Sequence, residues 1–200
     1  MNASVGKVDE IRERLRQAEQ ELAAELERIV EQNRSRFRYT IRAGRVRFEA
    51  GVRPLHRRQR KGLFAYVRNA PIAYVLTAPF TYGLFLPLLV MDIAVNVFQQ
   101  ICFRTYGINI VRRRDYLVFD RQLLGYLNAI EKLNCVYCSY ANGLISFVRE
   151  VAARTEQFWC PIKHARRMRD EHDRMEQFFD YGDATTYGKD LPRIRAKLLD

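Results

Sequence analysis

The sequence predicts a mainly α-helical fold, with a membrane-inserted helical hairpin, a small cytosolic helical domain and a short basic β-hairpin near the N-terminus. Three observations predict it. Residues 8–32 place apolar side chains at helical steps, residues 70–103 form an apolar run whose only charge is Asp92, and residues 34–68 hold twelve Arg or Lys against one acid, Glu49. Four segments follow: 1–33, an amphipathic helix; 34–62, a basic hairpin and collar; 63–104, the apolar hairpin; and 105–200, a cytosolic helical domain that binds metal. The net charge of +11 on 200 residues calls for an anionic partner: phospholipid, nucleic acid or an acidic protein.

In the first segment Ile11, Leu15, Ala18, Leu22 and Ile29 alternate by four and three residues and form one seam of a helix, spoiled at Glu25. Such a seam fits either packing on its own chain or a homo-oligomer through a coiled coil. In the second, Phe37, Tyr39 and Ile41, then Val46, Phe48 and Ala50, alternate with arginines around Gly44. Period two reads as a β-hairpin, apolar on one face and arginine-rich on the other. Arginine beside aromatics also suits single-stranded nucleic acid, the weaker alternative. His56, among arginines, reads as a solvated surface residue.

The apolar run is too long for one straight span of about 20 residues and short for two. Pro79, Gly83 and Pro87 near its centre predict two arms, about Leu63 to Ala78 and Leu88 to Phe103, bent back on each other. Both flanks are basic. Arg57, Arg58, Arg60 and Lys61 precede the run and Arg112, Arg113 and Arg114 follow it, so both flanks are expected in the cytoplasm, on anionic lipid. The hairpin is then spanning or re-entrant. Tyr74, Tyr82 and Tyr106 suit interface depth or a core, and Asp92 either marks a functional acid in lipid or faces a polar neighbour.

No charged start followed by an apolar stretch and a cleavage site opens the chain, which places the four cysteines in a reducing cytosol. Beyond the run, Asp120 reads as the N-cap of a helix ending near Asn134, and Asn142 to Phe158 reads as another. Cys135 and Cys138 form C-x2-C, and Cys160 and His164 form C-x3-H. Together they suit a closed tetrahedral Cys3His shell, zinc first, with iron or an iron–sulfur centre in a redox protein as the alternative. Cys160 before Pro161 reads as a helix start, with His164 one turn in. An unbroken helix between the halves would hold them roughly 24 Å apart. Three arrangements stay open: a broken helix, ligands from two protomers, or independent pairs used for thiol chemistry or packing. Cys102 reads as a boundary or core cysteine, and His172 as a charged-face residue or further ligand. No spacing singles out an acid/base pair, phosphate loop or nucleophile elbow, so whether the chain is an enzyme stays open.

The motifs "KLNCVYCSYANGL", "AARTEQFWCPIKHA", "FFDYGD" and "APIAYVLTAPF", over residues 65–183, resemble an uncharacterised family of small bacterial membrane-associated proteins. The resemblance implies bacterial origin and membrane association, and no mechanism; the localisation expected is the bacterial inner membrane. The function expected is a membrane-anchored, cytosol-facing metal-binding scaffold for an unidentified protein partner.

Overall fold

In the computed structural model, which describes residues 2–42, 44–166 and 168–199, the chain is mainly helical with one two-stranded antiparallel sheet. It divides into two compact units, Met1–Arg60 with Leu123–Tyr126, and Lys61–Gln122 with Leu127–Asp200.

The first unit begins with α1 (Asn2–Arg36), whose seam residues Ile11, Leu15, Leu22 and Ile29 are all exposed. Strands β1 (Tyr39–Arg42) and β2 (Arg45–Phe48) pair Tyr39 with Phe48 and Ile41 with Val46, so the alternation puts the apolar residues on one face as expected. Helix α2 (Val52–Arg58) follows. Its His56 is half-buried, with Phe48 and Tyr126 edge-on at ring distances of 5.1 and 5.2 Å. That corrects the expectation of a solvated histidine. The ring fits because Gly125 leaves room: a Cβ there would lie 2.9 Å from the His56 Cβ.

In the second unit α3 (Leu63–Arg68) stops before Asn69 and Pro71, and α4 (Ile72–Gly83), α5 (Phe85–Phe98), a π turn (Gln99–Phe103) and α6 (Arg104–Tyr106) form one helical run. The expected reversal at Pro79–Pro87 is absent. Leu84, the junction residue, keeps right-handed helical angles, φ −64 and ψ −16, and amide bonds from Leu84 to Phe80 and from Leu88 to Leu84 carry the helix across. Each proline removes one donor, which weakens a helix without turning it round. The run ends at Gly107, whose φ of 74 suits a glycine after a helix C-terminus.

Residues 108–117 return along the helix, with a short 3-10 turn at Arg113–Asp115, and a second such turn, Arg121–Leu123, follows. Asp120 caps no helix. The cap is Asn128, whose side chain accepts from the Glu131 amide while the Glu131 carboxylate accepts from the Asn128 amide. From there α7 (Ala129–Trp159) runs unbroken through the last part of the first expected helix and the whole of the second, and stops before Cys160–Pro161, since a residue preceding proline disfavours helical angles.

Helix α7 lies parallel to the α4–α5 run. Tyr82 donates to Asn134 and packs on Tyr137, Phe85 packs on Tyr140, and Tyr106 stacks on Phe158 at 5.1 Å. The same 24-residue interval separates Tyr82 from Tyr106 and Asn134 from Phe158, so the two helices keep step. Between them Leu88, Phe103, Tyr140, Leu144, Phe147 and Val151 form the core, with Ile108, Val111 and Leu117 of the return segment. A fully buried side chain such as Phe147 contributes about 1.5–3 kcal/mol. Gly143 is where the return segment crosses α7: a Cβ would lie 2.6 Å from the Tyr116 carbonyl oxygen. Helix α8 (Ala184–Ala196) closes the other end, the Ile194 carbonyl accepting from Gln157 and Arg195 donating to the Phe158 carbonyl.

Candidate functional site

The cysteine motifs do not converge within a chain. Cys135 and Cys138 lie one turn apart near the start of α7 and Cys160 caps its far end, about 37 Å away along an unbroken helix. His164 is exposed in an irregular segment, so the expected helix beginning at Pro161 is absent. Among the described residues no three His, Cys, Asp or Glu side chains stand where they would hold one metal ion. The unbroken α7 thus keeps Cys135 and Cys138 apart from Cys160 and His164 within one chain, which leaves ligands from two protomers, or independent pairs, of the three arrangements above. The second half-motif has a packing role instead. Pro161 is buried, and the Phe179 amide donates to the Pro161 carbonyl while the Lys163 amide donates to the Phe179 carbonyl, both at 2.8 Å. "CPIKH" is thus pinned to "FFDYG" in an extended pairing, reinforced by Lys163 and Asp180 at 2.7 Å. His172 meets Glu156 at 2.9 Å and the Phe178 ring edge-on.

The most unusual chemistry sits on α5 and the π turn that continues it. Asp92, Asn96 and Gln99, spaced by four and three, face inward from an otherwise apolar helix. Asp92 is only 6% exposed and fully engaged: the Arg113 guanidinium forks onto both carboxylate oxygens at 2.6–3.2 Å, Tyr140 donates at 3.0 Å and Asn96 at 2.8 Å. Gln99 accepts from the Val111 amide at 3.1 Å. These residues fasten the return segment to the helix pair, and an acid with every acceptor occupied is tolerated in a core. Burial and the Asp92 carboxylate beside it push the Tyr140 phenol up, so it remains a donor. Arg113, expected at anionic lipid, is spent on Asp92. The 4–3 spacing of Asp92, Asn96 and Gln99 was the sequence signal for this cluster, and it was missed.

The outward side of the same run is apolar. Leu86, Val90, Ile93, Val97 and Ile101 are each more than half exposed, Phe80 on α4 is 82% exposed, and only 11% of the run's most apolar stretch is buried. Ile72–Tyr106 is the one helical stretch among the described residues long and apolar enough to cross a membrane. On α7, Cys138, Ile145, Ala152 and Trp159 repeat every seven residues and are exposed, a second apolar stripe without charge. Between α5 and α7 lies an open groove of about 400 Å³ walled by Val95, Phe98, Val148, Ala152 and Trp159.

Charged pairs collect elsewhere. Glu150 takes Arg174 at 2.6 Å and Arg154 at 2.8 Å; burial alone would raise its carboxyl, and the two guanidiniums bring it below the ordinary range. Arg57, Arg58, Arg60, Lys61, Arg112 and Arg114 are exposed, and Arg112 also lines a cavity with Arg154 and Arg174. These features define the class: a mainly helical protein with one helix apolar enough for a membrane. No protein-family model, curated protein or solved structure matches the chain.

Proposed function

We propose that the chain is a membrane-binding module that lies along the bilayer surface, with the outer side of α4–α5 and the heptad stripe of α7 against the acyl chains. The observation that carries this reading is the inverted pattern of α5 and its π turn: Asp92, Asn96 and Gln99 inside, and Leu86, Val90, Ile93, Val97 and Ile101 outside. In water that arrangement leaves apolar surface uncovered along a helical run of about 52 Å, which favours a non-aqueous neighbour. The surface-lying mode follows from α7. Its N-terminal Glu131 and Lys132 lie just before Asn134, which is bonded to Tyr82. Driving Ile72–Met91 straight through the hydrocarbon would carry these charges to mid-depth, at about 2.5–3.5 kcal/mol each. Lying flat keeps them wet. Arg57, Arg58, Arg60, Lys61 and Arg114 supply attraction to anionic headgroups, about 1 kcal/mol for each residue near the surface. The cytoplasmic face of a bacterial inner membrane fits that charge and the family resemblance.

Flotation with phosphatidylcholine vesicles, with and without phosphatidylglycerol, tests the reading. The protein floats with both, more strongly with the anionic lipid. The paired substitution Ile93→Glu and Val97→Glu keeps the helical circular-dichroism signal and weakens flotation at least about tenfold. A chain that stays soluble and unbound, or a variant that floats like the parent, overturns it.

A further inference from the structure

On the side of α7 away from its apolar stripe, the return segment, α7 and the C-terminal residues line an open cavity of about 580 Å³. Four cations line it: Arg112 from the return segment, Arg154 from α7, Arg174, and Lys197 just beyond α8. Two carboxylates oppose them, Asp115 on the wall and Glu150 behind Arg154 and Arg174, leaving a net of two positive charges.

Not all the donors are spent. Arg174 is used by Glu150 and Gln157. Arg154 gives its Nε to Glu150 and Nη1 to the Asn109 carbonyl, which orients the guanidinium and leaves Nη2 without a partner among the described residues. Among the described residues Lys197 meets only Gln177, at 3.1 Å, and Arg112 has no side-chain partner. The shared Glu150 fixes two guanidiniums in advance, so a ligand does not have to order them. Burial, with Glu150 nearby, pushes the Tyr116 phenol up, leaving one more donor on the wall.

We infer that this cavity binds a water-soluble small molecule bearing a dianionic phosphate. Guanidinium forks and an ammonium around one space match phosphate oxygens. A net of two positive charges matches a phosphomonoester, and the volume exceeds that of bare phosphate, leaving room for an organic part. That the ligand is water-soluble rests on the membrane reading above: Arg154 and Ala152, two residues apart, point about 200° from each other round α7. A membrane on the Ala152 stripe leaves the cavity in water.

The test is titration of the detergent-solubilised 200-residue chain with inorganic phosphate, followed by calorimetry and phosphorus NMR. Phosphate binds with a millimolar Kd at moderate salt. Arg112→Ala with Lys197→Ala, both surface positions, weakens it at least about tenfold, while Arg14→Ala with Arg28→Ala, which removes equal charge from α1, leaves it unchanged. Absence of phosphate binding, or equal loss in both pairs, overturns the site. Because the titration needs no bilayer, failed flotation leaves its result standing. Loss of vesicle flotation in the Arg112/Lys197 pair would move the phosphate to a lipid headgroup and overturn the soluble ligand.

Discussion

Helices α5 and α7 lie side by side in step, yet they solve opposite problems. Helix α7 turns Tyr140, Leu144, Phe147 and Val151 to the core and places Lys132, Arg149 and Glu150 off that face, the pattern of a helix with one side in water. Helix α5 contributes Leu88 and the polar cluster to the same core and leaves a row of aliphatic side chains uncovered. The contrast teaches that hydropathy alone does not tell which face of a helix is inside. In α5 the inner face is chosen by hydrogen-bonding partners, and the outer face by what surrounds the protein.

The sharpest way to break the comparison is to unfasten α5 from the return segment. Asp92→Ala leaves the Arg113 guanidinium, itself partly exposed, without its partner, and unfolding in urea should show a loss of about 2–3 kcal/mol. Replacing Asp92 by Leu and Arg113 by Met together should recover most of it; a double variant as weak as Asp92→Ala would mean the pair contributes more than mutual neutralisation.

Gly143→Ala attacks the same contact from α7. The added methyl meets a backbone oxygen that cannot move alone, and a cost of about 1–3 kcal/mol is expected in the same assay. A neutral result would mean that the return segment stands off from α7.

The smallest effect concerns the charged side of α7. Glu150 titrates below its unfolded value of about 4.3. Its contribution is therefore present above that pH and is lost as pH falls through the lower, folded value. Glu150→Gln should flatten the decline in stability below about pH 4.3, measured by urea midpoints across the acid range. An unchanged slope would assign the acid sensitivity to other carboxylates.

Much of the fold was legible where a period repeats. Helix α1, the β-hairpin and the apolar run follow from spacing, and the register of Tyr39 with Phe48 is what alternation required. Errors arose where one residue was asked to override its neighbours. Pro79, Gly83 and Pro87 read as a reversal, yet the intervening Leu84 stays helical. Asp120 read as a cap, while the true signal was the Asn128–Glu131 pair, two residues satisfying each other's amides. Whether the cysteine motifs converge within one chain was illegible for a different reason. Spacing within C-x2-C measures closeness, but spacing across α7 measures distance, and no composition argument could tell whether Gly143 broke the helix. It does the reverse, letting another segment press against an intact one.

The order in which the clasp on Asp92 is assembled has a consequence for biosynthesis. Arg113 follows Asp92 by 21 residues and Tyr140 by 48. At the pace of translation the carboxylate waits about 2–10 s for its last partner, on a helix whose other side is already greasy. During that interval the apolar outer side of α5 is already complete while its polar inner side still lacks the partners that satisfy it, so the two faces of one helix mature at different times.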